Sequence, residues 1–143
     1  MSTDIYRRLA RHLDDLPGGY PPTDSGVELR ILKRLFLPEE AELAVTLTLI
    51  PETAETIAQR AGIDNESAGL RLEQMAGKRL VFRIVPKSGK PLYMAAQFVV
   101  GIWEFHLNDL NPGFIRDMHE YIPHLLPHAW KVPSFEPFRW KRA

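Results

Sequence analysis

Six side chains have the types and spacing to grip nucleic acid. Arg71, Gln74 and Lys78 recur three and four residues apart, which places them on the outer side of a helix as candidates for the major groove. Arg83, Lys87 and Lys90 follow on a segment where two apolar runs flank a Pro/Gly turn. Arginine can engage guanine and glutamine adenine through paired hydrogen bonds, and lysine reaches phosphate. Basic residues on a hairpin can enter a minor groove. A second set suits a different chemistry. Trp130, Phe135 and Trp140 stand in a proline-spaced tail, and large aromatic side chains of this kind anchor protein interfaces.

Charge placement divides these readings. From Glu52 to Arg79 the chain carries four bases against five acids, and Asp64 and Glu66 begin the helix that would enter the groove. A groove-reading helix brings its N-terminal residues near phosphates and base edges, so acids there oppose it. The segment Leu80–Leu92 holds Arg83, Lys87 and Lys90 with no acid, and Ala129–Ala143 has four bases against Glu136. A basic turn and a basic helix face are also what plain solvated surface looks like.

The five histidines invite a metal reading. His119-Glu120 opens an H-E-x-x-H pattern, but position 123 is proline and the next histidine is His124. His124 and His128 flank Pro127, which disturbs helical ligand spacing. Glu104 and His106 would form an acid–base pair only inside a cleft. With no cysteine there is no thiolate nucleophile, disulfide or cysteine-held cluster. Phosphate-cradling and nucleophile-elbow glycine motifs do not occur. The expectation is a non-catalytic chain that holds no metal and no cofactor of its own.

Elements must position these residues. Ile5, Leu9, Leu13 and Leu16 have helical spacing, and a Pro/Gly linker follows at 17–22. Ser25 and Glu28 have capping-box spacing ahead of an apolar helix with Val27, Ile31, Leu32 and Leu35. Pro38 opens a second helix, expected over Glu39–Leu47, and strand character appears at Leu47–Ile50. Thr53 and Asp64 can cap two helices joined by a turn at Gly62, the second expected over Asn65–Arg79. Leu80–Val85 and Leu92–Ala96 read as an antiparallel hairpin. Helix, turn, helix and hairpin in that order predict a winged helix-turn-helix, mainly α with a small β-hairpin wing, with extra N- and C-terminal helices. Its core should include Ile31, Leu35, Ile57, Leu72, Met75 and Leu80.

Phe98–Leu107 is expected as helix, Asn111-Pro112 as a capped helix start, and Pro123, Pro127, Pro133 and Pro137 as barriers to regular structure. The division is then 1–23 for the first helix and linker, 24–97 for the winged helix-turn-helix, 98–128 for C-terminal helices, and 129–143 for an extended tail. Leu9, Leu13 and Leu16 at one end and Ile115, Met118 and Ile122 at the other form apolar stripes expected to pack on each other, within one chain or across a homodimer. Zero net charge and the lack of any long apolar run predict a soluble cytoplasmic protein without membrane attachment.

The run LPGGYPPTDSGVELRILKRLFLPEEAELAVTL, then IAQRAGI, the hairpin and YMAAQFVVGIWEFHLNDL, resembles the N-terminal winged-helix region of bacterial ferredoxin-type iron–sulfur proteins from anaerobes. The resemblance spans Asp4 to about Trp130, and SGVELRILKRLF and VVGIWEF carry most of it. It implies a module that precedes a [4Fe–4S] cassette with C-x₂-C-x₂-C-x₃-C-P runs and docks a redox protein or that downstream ferredoxin domain. This chain has none of those cysteines, so clusters would belong to a downstream region. The alternative is a dimeric DNA-binding regulator.

Overall fold

The computed structural model describes residues 4–87, 89–103, 106 and 111–129, with 99, 100 and 126–129 described in backbone only. The chain is mostly helical with a small antiparallel sheet. Helix α1 (Ile5–Asp14) buries Leu9, Ala10 and Leu13 on one stripe. Helix α2 (Val27–Leu35) is central, and its Val27, Ile31 and Leu32 have no exposed surface. Its apolar residues spread round the cylinder because neighbours pack on several sides: α1, and the last helix, α6 (Pro112–Ala129). The two terminal stripes therefore meet α2 instead of chiefly each other. Ile115 of α6 is left 45% exposed, while Met118 is buried.

The expected capping box does not form. Gly26, at φ 76°, precedes α2, and the buried Glu28 carboxylate accepts from the Thr23 N–H and hydroxyl at 3.1 and 2.6 Å. A left-handed glycine redirects the chain, so Ser25 Oγ donates to Glu120 at 2.7 Å. Helix α3 (Pro38–Ala44) starts at its proline and ends three residues before Leu47. Leu47–Ile50 is not a strand. The Ile50 N–H bonds to Thr48 Oγ1 at 3.1 Å, a local turn that competes with a ladder. The third strand instead follows Pro51, as β1 (Glu52–Thr53).

Helix α4 (Ala54–Ala61) and helix α5 (Asn65–Gly77) begin as the sequence predicts. Thr53 Oγ1 accepts from the Thr56 N–H at 3.2 Å and the Asp64 carboxylate from the Ser67 N–H at 2.9 Å. Gly62 closes α4 at φ 77°. Helix α5 stops two residues short of Arg79. The Leu80 N–H bonds to the Met75 carbonyl at 2.9 Å and the Arg79 N–H to the Ala76 carbonyl at 3.0 Å. That is a Schellman closure with arginine, at φ 64°, in the position glycine favours. Strands β2 (Val81–Ile84) and β3 (Leu92–Ala95) pair antiparallel, Val81 opposite Ala95 and Arg83 opposite Tyr93, and the sheet order is β1-β3-β2.

Phe98–Ile102 forms a π-helical turn, in which the Ile102 N–H reaches back five residues to the Gln97 carbonyl at 2.9 Å. The rest of the expected 98–107 helix falls largely outside the described residues. Asn111 caps α6 by accepting from the Phe114 N–H at 2.8 Å. Contrary to expectation, α6 runs through Pro123 and Pro127. An interior proline costs about 3 kcal/mol, and burial of Tyr121 and Leu125 on either side of Pro123 offsets it. Tyr20, Phe98 and Tyr121 pack in tilted and edge-on pairs with centroids 4.9–6.4 Å apart, tying the linker to α6. Ile31, Leu35, Ile57, Leu72, Met75 and Leu80 are all buried in one cluster running from Leu9 to Leu125. Among the described residues no helix is long and apolar enough to cross a membrane.

Candidate functional site

Helix α5 and the β2–β3 hairpin carry the six residues singled out for nucleic acid, and the structure commits most of them elsewhere. Ala68, Leu72 and Met75 face the core, which turns Arg71, Gln74 and Lys78 toward α3. There the side chain of Glu40 is fully buried. The Gln74 amide donates to one of its oxygens at 2.8 Å and the Lys78 ammonium to the other at 2.7 Å. The Leu37 N–H adds a third donor at 2.8 Å. A buried carboxylate is tolerated only with such company, so Gln74 and Lys78 serve α3. Arg71 lines a crevice of about 250 Å³ with Glu39, Glu42, Ala61 and Ile63.

The wing is treated alike. Arg83 Nε donates to Glu73 at 2.6 Å, and the Tyr93 hydroxyl donates to the same oxygen of Glu73. The Tyr93 hydroxyl and then the Arg83 guanidinium hold the Glu73 carboxyl below its ordinary range. The β2–β3 register places Arg83 opposite Tyr93, so one acid of α5 pins both strands. Lys90 lies 3.4 Å from Glu55, whose carboxyl is lowered by its own backbone N–H and then by Lys90. Lys87 is exposed at the turn. Among the described residues, Arg71 and Lys87 alone of the predicted cations lack an acid within ion-pair distance.

What α5 offers to solvent is different: Glu66, Leu70 and Glu73, with Leu70 67% exposed. The capping bonds of Ser67 keep Asp64 ionised by lowering its carboxyl. The open side of this helix thus presents Leu70 beside Asp64 and Glu66 at its start, while the charge of Glu73 is met by Arg83.

Trp130, Phe135 and Trp140 lie outside the described residues, as does Glu104. His106 is buried with Nδ1 2.7 Å from the Ile102 carbonyl, a packing role. His119 and His124 are exposed, and Glu120 is engaged by Arg30 at 2.8 Å. No cluster of three metal-ligating side chains occurs among the described residues. The sequence has no cysteine, so the chain supplies no thiolate to a cluster.

Two polar clasps escaped sequence reading. The place of Glu40 in the first turn after Pro38 suits the positive end of α3 and says nothing of α5. Asp117, side chain 5% exposed, binds Arg34 Nε at 2.7 Å and Arg30 Nε at 3.4 Å, joining α2 to α6. The four-residue spacing of Arg30 and Arg34 was the available signal. No family model, curated protein or solved structure matches the chain.

Proposed function

We propose that the chain is a non-catalytic, cytoplasmic winged-helix module that docks another protein, of the kind that accompanies a ferredoxin-type iron–sulfur electron carrier. One observation carries the choice against nucleic acid: four of the six residues suited to DNA contact are engaged by acids of this chain. Gln74 and Lys78 hold the buried Glu40, Arg83 holds Glu73, and Lys90 faces Glu55. Freeing any of them for phosphate would cost its present partner, and for Glu40 would strand a buried charge. The order strand, helix, turn, helix, hairpin, with the three strands in one sheet, supports the winged-helix reading, and the exposed Leu70 near Asp64 and Glu66 suits a protein surface better than a polyanion. The iron–sulfur association rests on the sequence resemblance, and the cluster belongs to the partner.

Two titrations of the full chain test this. Selection from a random-sequence duplex pool should enrich no duplex bound more tightly than about 10⁻⁶ M at physiological salt. A two-cluster bacterial-type ferredoxin should bind, with the affinity lost in a Trp130→Ala, Phe135→Ala, Trp140→Ala variant and kept in Lys87→Ala, Lys90→Ala. A nanomolar duplex would overturn the module reading, and absence of ferredoxin binding would overturn the iron–sulfur association.

A further inference from the structure

Between α3 and the α4–α5 turn lies a crevice of about 250 Å³ whose walls carry opposite charges. Glu39, Glu42 and Leu43 of α3 line one side, and Ala61, Ile63 and Arg71 the other. Glu39 and Glu42 are three residues apart, so both carboxylates share one helix face. Gly62, at φ 77°, turns the chain between Ala61 and Ile63, and the Ile63 N–H closes the turn on the Ala58 carbonyl at 3.1 Å. Arg71 faces α3 because Ala68, Leu72 and Met75 take the core side of α5. Glu39, Glu42 and Arg71 form no ion pair or side-chain hydrogen bond with any described residue. Opposite charges that line one crevice without closing on each other leave room for a ligand between them. The separation of the walls is set independently of these groups, since Glu40 ties α3 to α5 through Gln74 and Lys78 at 2.8 and 2.7 Å. The crevice is therefore pre-formed.

We propose that this crevice binds a free α-amino acid with an apolar side chain. The site goes beyond protein docking and is independent of which partner the chain docks. Glu39 and Glu42 would repel a lone anion, and Arg71 a lone cation. A zwitterion satisfies both walls. Its ammonium meets the two carboxylates, while its carboxylate takes paired N–H bonds from the guanidinium. Leu43, Ala61 and Ile63 offer apolar surface to its side chain. Size favours a ligand of this kind, because pockets for drug-sized molecules run from about 300 Å³ upward. Affinity is limited, since Glu39 and Glu42 are exposed and Arg71 half-buried, so water competes for each charge. The expected dissociation constant is about 10⁻⁴ to 10⁻³ M.

The probe is L-leucine, titrated into the full chain by amide NMR, with L-leucinamide and N-acetyl-L-leucine as comparators. Leucinamide lacks the carboxylate and stands for the first residue of a polypeptide. N-acetyl-leucine lacks the ammonium and stands for the last. Shifts should be confined to residues 38–43 and 61–71, and each comparator should bind at least tenfold more weakly than leucine. Arg71→Gln should weaken leucine at least tenfold and abolish its advantage over leucinamide. The double variant Glu39→Gln, Glu42→Gln should do the same against N-acetyl-leucine. Neither variant removes an ion pair or side-chain hydrogen bond of the fold, so melting temperatures should stay nearly unchanged. No shift at about 10⁻² M leucine, shifts elsewhere, or leucine binding indifferent to both variants would overturn the site. Equal affinity for leucinamide or for N-acetyl-leucine would overturn the amino-acid assignment in favour of a chain terminus.

Discussion

The Lys78 ammonium lies 2.7 Å from a Glu40 carboxylate that has no exposed surface, so a residue suited to phosphate instead locks α5 to α3. Removing the cation should therefore cost stability. Lys78→Met should lower the unfolding free energy by about 2 kcal/mol, less than for a fully buried pair because the lysine is itself 39% exposed. In urea titrations the double variant Glu40→Leu, Lys78→Met should be more stable than Lys78→Met alone, since no buried charge is left without its cation. Additive losses would contradict the clasp.

Gly113 gives a second test. A Cβ there would sit 2.6 Å from the Arg34 guanidinium nitrogens. That group can swing away, but only by leaving Asp117, which it binds at 2.7 Å. Gly113→Ala should thus destabilise by about 1–2 kcal/mol despite alanine's better helix propensity. In an Arg34→Ala background the same change should be neutral or stabilising by up to about 1 kcal/mol. A destabilisation that persists there would show the cost to lie elsewhere.

The third prediction concerns pH. His12 Nε2 lies 3.0 Å from the Leu47 carbonyl, and burial lowers its pKa despite that bond and Asp15. The unfolded chain therefore takes up this proton first as pH falls, so the stability conferred by the neutral ring is complete above about 6.5 and lost below it. Urea midpoints should drop between pH 7 and 5, and His12→Gln should flatten that step. The lowered carboxyls of Glu73, Glu55 and Asp64 act in a separate window, below about pH 4.5. An unaltered step in His12→Gln would assign it to another group.

The fold was legible where the signal is local. Thr53 and Asp64 announce their helices through the capping oxygen each carries, and Gly62 marks the turn between them. It was illegible where tertiary packing overrides a local rule. Pro123 stays inside α6 because Tyr121 and Leu125 are buried around it. Glu28 abandons Ser25 because Gly26 turns left-handed. The site divides in the same way. Spacing groups Arg71, Gln74 and Lys78 on what reads as the outer side of the helix, but that side faces α3, where Glu40, 34 residues upstream of Gln74, binds two of them. The Glu73–Arg83 pair depends on the angle between helix and hairpin, which no sequence window contains.

The choice between a protein-docking module and a DNA reader turns on how many cations are free, and salt dependence counts them directly. A 20-base-pair duplex should be titrated into the full chain between 50 and 200 mM salt. With only Arg71 and Lys87 lacking an acidic partner among the described candidates, the log–log slope should be no steeper than about −2, at non-specific affinity. A slope of about −4 to −5 with nanomolar affinity would mean that Lys78, Arg83 and Lys90 leave their acids for phosphate, and would contradict the account.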